Sequence, residues 1–233
     1  MPSGRALVFV VGASLFVVLV SVFAASRSAL FALRRVEVRG FAHRSAAEVV
    51  TRADVPTGTN IIWLDTAAVE RRLESDPWIA RATVTRALPS TLEISVAERR
   101  PIAILRDGPA ATLVAADGTW LGAAPTRARL PAIRLPPAAP ATIGIPGEAG
   151  AVRAMAALTP SVRHRIREID VAVGGTLTAL VRGGPVVELG PAVDLDAKAR
   201  VLRRVLSWER TTGSALAAVS LVAPAAPAAR LQA

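Results

Sequence analysis

Residues Leu7 to Ala25 (LVFVVGASLFVVLVSVFAA) form an uncharged run interrupted only by Gly12, Ser14 and Ser21. Wound as a helix, it would be about 28 Å long, close to the hydrocarbon thickness of a bilayer. A helix pairs its backbone polar groups internally, as lipid requires. The run is longer than the ~7–15 apolar residues of a cleaved signal peptide, although Ala24-Ala25-Ser26 has the small residues of a cleavage site. It therefore predicts a retained transmembrane helix over 6–26, with Leu7, Val11, Leu15, Val18 and Phe23 as anchor residues. Residues 1–5 would be a short cytoplasmic tail.

After Leu33 the period changes to two. Val36 and Val38 alternate with Arg35, Glu37 and Arg39, a half-buried strand ended by Gly40. Ser45-Ala46-Ala47-Glu48 is a capping box, and Ala46, Val49, Val50 and Ala53 make one apolar stripe behind it. Pro56 and Gly58 mark a loop. Asp65 opens a second helix that buries Val69 and Leu73, and Asp76-Pro77 stops it. Two strands follow, with Ala82 and Val84, then Leu92, Ile94 and Val96, on their inner faces. The order is strand, helix, helix, strand, strand. Each strand has one wet face, so both helices should cover the same side of a small sheet.

The second half starts with a hairpin over Leu113–Leu121 around Asp117-Gly118. Residues 123–150 are rich in proline, alanine and glycine and predict a long surface connection. A short helix near Val152–Leu158 precedes strands at Ile166–Val173, Leu177–Arg182 and Val186–Leu189. Leu195, Ala199, Leu202 and Leu206 form the apolar stripe of a longer helix. A last strand, Leu216–Ala223, leads into an Ala/Pro tail, 224–233, expected to be disordered. The fold class is α+β: one N-terminal transmembrane helix, a β-α-α-β-β domain over 31–100, and a mixed β-sheet domain with packed helices over 101–223.

A net charge of +10 raises nucleic acid as a partner, but the arginines are dispersed, Lys198 is the sole lysine and tyrosine is absent. That is a compositional bias and not a basic patch, so no nucleic-acid partner is expected. Charge also bears on topology. Arg5 precedes the helix whereas Arg27, Arg34, Arg35 and Arg39 follow it, and the positive-inside rule read literally would keep the large domain in the cytoplasm. Long domains are exported largely regardless of charge, and Arg34 onward already belongs to a strand. The expected orientation is N-terminus inside and C-terminal domain outside.

Candidate chemistry is sparse. Cysteine is absent, which removes disulfides and thiolate sites. His43 and His164 have no second ligand at metal spacing, and there is no G-x-S-x-G elbow, P-loop or G-x-G-x-x-G. No catalytic residue, cofactor, metal or small-molecule substrate is expected.

Three segments carry a family resemblance: VEVRGFAHRSAAEVV, GTNIIWLD and DPWIARATVTRALPSTLEISVAERRPIAIL. The most specific set is Pro77-Trp78-Ile79, then Val84, Arg86, Pro89, Leu92, Ile94, Val96, Glu98, Arg99, Pro101 and Ala103. It resembles the POTRA domain of the bacterial cell-division protein family FtsQ, called DivIB in Gram-positive bacteria. Ala116–Gly122 (ADGTWLG) and the stretch from Leu177 to Trp208 are similar to that family's β domain. The last strand departs from the family pattern, with no acidic residue and no closing aromatic.

The resemblance implies a non-catalytic scaffold of the divisome, linking early and late division proteins at the septum. Its implied partners are the bitopic proteins FtsB and FtsL, other divisome membrane proteins and the lipid bilayer, with location in the cytoplasmic membrane. On the residues themselves, Leu216, Ala217, Ala218, Val219, Ser220, Leu221 and Val222 are expected to form a sheet edge that a partner strand extends. Ordinary core packing of Val219, Leu221 and Val222 is the competing expectation. Two other classes remain: a POTRA component of envelope assembly or secretion, which calls for a transmembrane barrel, and an enzyme of wall synthesis.

Overall fold

Residues 4–136 and 147–231 are described by the computed structural model. Part of the expected Pro-rich connection (137–146) and of both expected tails (1–3 and 232–233) lies outside them. The apolar run forms α1 (Gly4–Ser26), whose window Phe9–Ser26 is long and apolar enough to cross a membrane. No other helix among the described residues meets that test. Val11, Leu15, Val18 and Phe23 are exposed along it, and Leu7 lies on the same helix.

The chain divides into two units, Met1–Arg99 and Arg100–Ala233. In the first, α1 is followed by a 3-10 turn at Ala29–Phe31, then β1 (Arg35–Arg39), α2 (Ala46–Ala53), α3 (Thr66–Glu74), β2 (Ile79–Ala87) and β3 (Thr91–Glu98). The three strands form a sheet of order β1-β3-β2, with β1 parallel and β2 antiparallel to β3. Capping sets the helix starts. The Ser45 side chain accepts from the Glu48 N–H while Glu48 reaches back to Ser45, and Asp65 accepts from Ala68. Val49, Ala53, Val69 and Leu73 from the helices meet Ala82, Val84, Leu92, Ile94 and Val96 from the strands in one core. Of the α2 stripe read from the sequence, Val50 is exposed.

Glycine is required at Gly40, just after β1. Its φ is +82°, and a Cβ there would run into the Val96 carbonyl oxygen on the neighbouring strand.

The second unit holds β4 (Pro101–Asp107), β5 (Ala110–Ala115), β6 (Trp120–Ala123), β7 (Ala132–Arg134), α4 (Glu148–Ala157), α5 (Pro160–Arg165), β8 (Ile166–Val171), β9 (Leu177–Val181), β10 (Val186–Gly190), α6 (Leu195–Thr212), β11 (Leu216–Ser220) and β12 (Ala228–Leu231). All the strands join one mixed sheet of order β12-β11-β10-β9-β8-β7-β4-β5-β6. Parallel neighbours need a crossover. α4 and α5 lie in the chain between β7 and β8, and α6 between β10 and β11, and both pairs are parallel. Ala151, Met155, Leu202 and Leu206 from the helices pack on Ile133, Ile169, Ala179, Val187 and Val219 from the sheet.

Two sequence expectations fail here. The supposed Pro-rich surface connection, 123–150, contains β7, a central strand paired with both β4 and β8 and buried at Ala132 and Ile133. Pro131 does not interrupt the sheet because it contributes only its carbonyl, which accepts from the Ile104 N–H at 2.9 Å. The supposed disordered tail, 224–233, contains β12, antiparallel to β11. Pro224 and Pro227 sit in the intervening turn, closed by Ala226 N–H donating to Ala223, so Ala228–Leu231 keep every donor that a strand needs.

Candidate functional site

Sheet edges are where a folded domain can add a further strand, so their closure decides where such pairing can occur. In the first unit the outer edge of β2 is closed by its own helix. The Glu70 carboxylate accepts from the Val84 N–H at 2.7 Å, and Glu74 accepts from Ala82 at 3.0 Å. Both acids project from α3 onto that edge. The opposite edge, β1, is short and bears Arg35, Glu37 and Arg39, charges that discourage strand addition.

In the second unit the described sheet ends at β6 and at β12. β6 has four residues, among them the exposed Trp120. β12 is exposed at all four residues, with Leu231 60% accessible. Its register sets Ser220 against Ala228, Val219 against Ala229 and Ala218 against Arg230. A bulge between Leu216 and Ala218 precedes the Leu216–Leu231 pair.

This placement corrects the edge assigned from sequence. Leu216, Ala217, Ala218, Val219 and Ser220 form β11, which is interior: β10 pairs on one side and β12 on the other. Leu221 carries the pairing one residue further by donating to the Glu188 carbonyl at 2.8 Å. Leu216, Val219 and Leu221 are buried core residues; of the three residues in the competing core reading, Val219 and Leu221 are buried and Val222 is exposed. The expectation stops one strand short because Pro224 and Pro227 cannot themselves donate to a ladder, whereas the chain turns through them and pairs again at Ala228.

Beside β12 lies an open apolar groove of about 430 Å³. Val201, Val205 and the 48%-exposed Trp208 from α6 form one wall, and Pro224, Pro227 and Ala229 the other. Ionic contacts hold its α6 wall. Glu209 accepts from Arg165 at 3.2 Å and from the Leu216 N–H at 3.4 Å, tying the helix to the start of β11. At the other end of α6, Lys198 is 1% exposed, and its ammonium donates to the carbonyls of Leu189 and Pro191 at 2.7 and 2.8 Å. Burial pulls its pKa below the usual lysine value, only partly offset by the charge of Asp194.

Candidate chemistry elsewhere resolves into structure. Asp76 is 1% exposed and accepts from the Trp78 N–H at 3.0 Å, with Arg44 and Arg52 on its oxygens at 3.0 and 3.2 Å. Burial alone would push this carboxyl up, but the Trp78 N–H and the two arginines outweigh it and hold it below the ordinary range. The hollow beside it, about 490 Å³, is also lined by Glu48, so its charges cancel and leave no surplus for an anion. Glu98 likewise accepts three backbone N–H groups, from Ala42, His43 and Arg44. Burial raises its pKa and those three donors lower it further than that, with a net fall. His43 stacks on Trp78 at 3.5 Å. Among the described residues no group of three His, Asp or Glu side chains could hold a metal ion.

Comparison with known proteins places this architecture. The model of the POTRA domain, FtsQ-type, matches residues 31–99. The cell division protein FtsQ of Streptomyces griseus is 30% identical over 196 residues, covering 79% of this chain and 92% of that relative. The chain belongs to the FtsQ family of cell-division proteins. FtsQ of Mycolicibacterium smegmatis is 32% identical over 78% of the chain, and FtsQ of Agrobacterium fabrum 29% identical over 82%. The chain spans 54% and 58% of the lengths of those two relatives. The extracytoplasmic domain of the division protein DivIB from Geobacillus stearothermophilus matches with a TM-score of 0.36 and 15% identity, over 50% of this chain and 96% of that one, too remote to carry weight. The matched POTRA span follows α1 and precedes the mixed sheet.

Proposed function

We propose that this FtsQ-family chain is a non-catalytic divisome scaffold, held in the cytoplasmic membrane by α1 with both folded units on the outer side at the septum. It recruits bitopic partners of the FtsB and FtsL type by strand addition at β12. The observation that carries this reading is the terminal position of β12: the side left unpaired among the described residues presents main-chain donors and acceptors, and the Trp208 groove lies beside it. A partner segment in extended conformation would complete its hydrogen bonds there, with alternate side chains selecting register.

The test uses two proline variants at neighbouring positions, Ala229→Pro and Arg230→Pro. Successive N–H groups in a strand point to opposite sides, so one variant deletes an outward donor and the other a bond to β11. The outward-donor variant should keep its melting temperature and lose capture of the FtsB-type partner. Undiminished capture by both variants would refute strand addition at β12.

A further inference from the structure

The junction between α1 and the POTRA domain is a built contact and not a loose linker. The Asn60 Nδ2 donates to the Ser26 carbonyl at 2.8 Å, capping the last turn of α1 from a loop 34 residues away. Ala32 and Asn60 form a β-bridge, Ile61 N–H donates to Phe31 at 2.9 Å, and Leu33 N–H donates to Thr59 at 2.8 Å. The same loop is rooted in the domain. Ile61 is fully buried, and Arg86 from β2 donates to the carbonyls of Ile61 and Leu64, both at 2.6 Å.

Between those two fixed carbonyls the loop projects Trp63. Its ring meets Phe23 edge-on at 5.9 Å, and the Arg27 guanidinium lies over both rings, 5.0 Å from Trp63 and 5.2 Å from Phe23. Trp63 is nevertheless 54% exposed, and Leu30 beside the junction is exposed as well. The depth of this cluster follows from the helix. Phe23 belongs to the last turn of the span Phe9–Ser26, so wherever that span crosses, Trp63 sits level with its end. Tryptophan favours that boundary, with its indole body in the apolar layer and its N–H among head groups. An arginine one turn beyond extends to lipid phosphates.

We infer that Phe23, Arg27, Leu30 and Trp63 form an interfacial docking site that seats the POTRA domain on the phospholipid head groups around its own anchor. The inference rests on reading α1 as a membrane span. Its occupant is lipid because the cluster is continuous with that helix, has an apolar rim at the level of the helix end, and carries a cation where phosphates lie. Three consequences follow: a fixed depth for the domain, a fixed tilt relative to α1, and a share of the membrane affinity carried by a folded domain and not by the helix alone.

The full chain, reconstituted into vesicles of phosphatidylethanolamine and phosphatidylglycerol, would be mixed with lipids brominated high on the acyl chain, which quench tryptophan on contact. Wild-type fluorescence should fall. Trp63→Phe should lose most of that quenching, whereas the Phe variants of Trp78, Trp120 and Trp208 should retain it. Quenching that survives Trp63→Phe undiminished would overturn the docking site. A chain in which Trp63 is the sole tryptophan gives the same reading if Trp63→Phe does not fold: quenched supports the site, unquenched overturns it. Flotation separates the two levels of failure. A chain that fails to float with vesicles overturns the span and the site together, and one that floats with Trp63 unquenched overturns the site alone. Pure lipid vesicles contain no partner helix, so quenching there assigns the surface to lipid.

Discussion

Asp76 and Glu98 show how single carboxylates organise the POTRA unit, each gathering donors from segments distant in sequence. Both have a folded-state pKa below the ordinary value, so the unfolded chain takes up protons first as pH falls. Their contribution is complete above about pH 5, clear of the ordinary Asp and Glu values, and is lost as pH drops through the depressed folded values. Thermal melting of the POTRA unit should be flat from neutral pH down to about 5 and fall steeply below about 4. Asp76→Asn should reduce that slope and cost about 1–3 kcal/mol at neutral pH, by weakening the hold on Arg44 and Arg52. In the β domain, Lys198→Met keeps the buried stem but orphans the carbonyls of Leu189 and Pro191. Chemical denaturation should register a loss of about 1–3 kcal/mol. Gly40→Ala should be at least as damaging, because both the positive φ and the Val96 carbonyl oppose a side chain.

At the scale of elements, β2 and β12 handle the same liability in opposite ways. β2 occupies the outward N–H groups of Ala82 and Val84 with Glu74 and Glu70 from α3, whereas β12 is paired on one side alone among the described residues. Replacing both acids, Glu70→Ala with Glu74→Ala, should expose a pairing edge and promote self-association. Sedimentation of the double variant against wild type measures it, and a monomer at high concentration would contradict the closure argument. The α2 start is local in origin: Ser45→Ala should cost about 1 kcal/mol through loss of the capping box. These features differed in how far they could be read in advance. The capping box, the Asp65 cap and the alternating strands of the POTRA unit follow from neighbours within a few residues. β7 was missed because a three-residue strand set between Pro131 and Pro136 is too short to show a period. β12 was missed because Pro224 and Pro227 interrupt the run and the four residues Ala228–Leu231 are too few to show a period.

For the whole molecule, the decisive variable is the side of the membrane on which the two units stand. The arginines after α1 argue one way by the charge rule, while the proposed scaffold role requires the other. The absence of cysteine makes the test clean, since a single introduced thiol is unique. Ala225→Cys, in the exposed turn before β12, should be labelled in intact cells by a membrane-impermeant maleimide. Labelling only after lysis would place the β domain in the cytoplasm and remove the scaffold reading with it.

The amino-acid order by itself determined the long apolar helix, the β-α-α-β-β unit and the family, because each rests on local period, caps and turns, or on motifs dense enough to compare. Tertiary structure alone decided which strand is interior and which ends the sheet. Edge status depends on what lies alongside in space, and the neighbours of β11 come from residues 186–188 before it and 228–231 after it. The same holds at the membrane junction, where Trp63 gains its meaning only from standing beside Phe23.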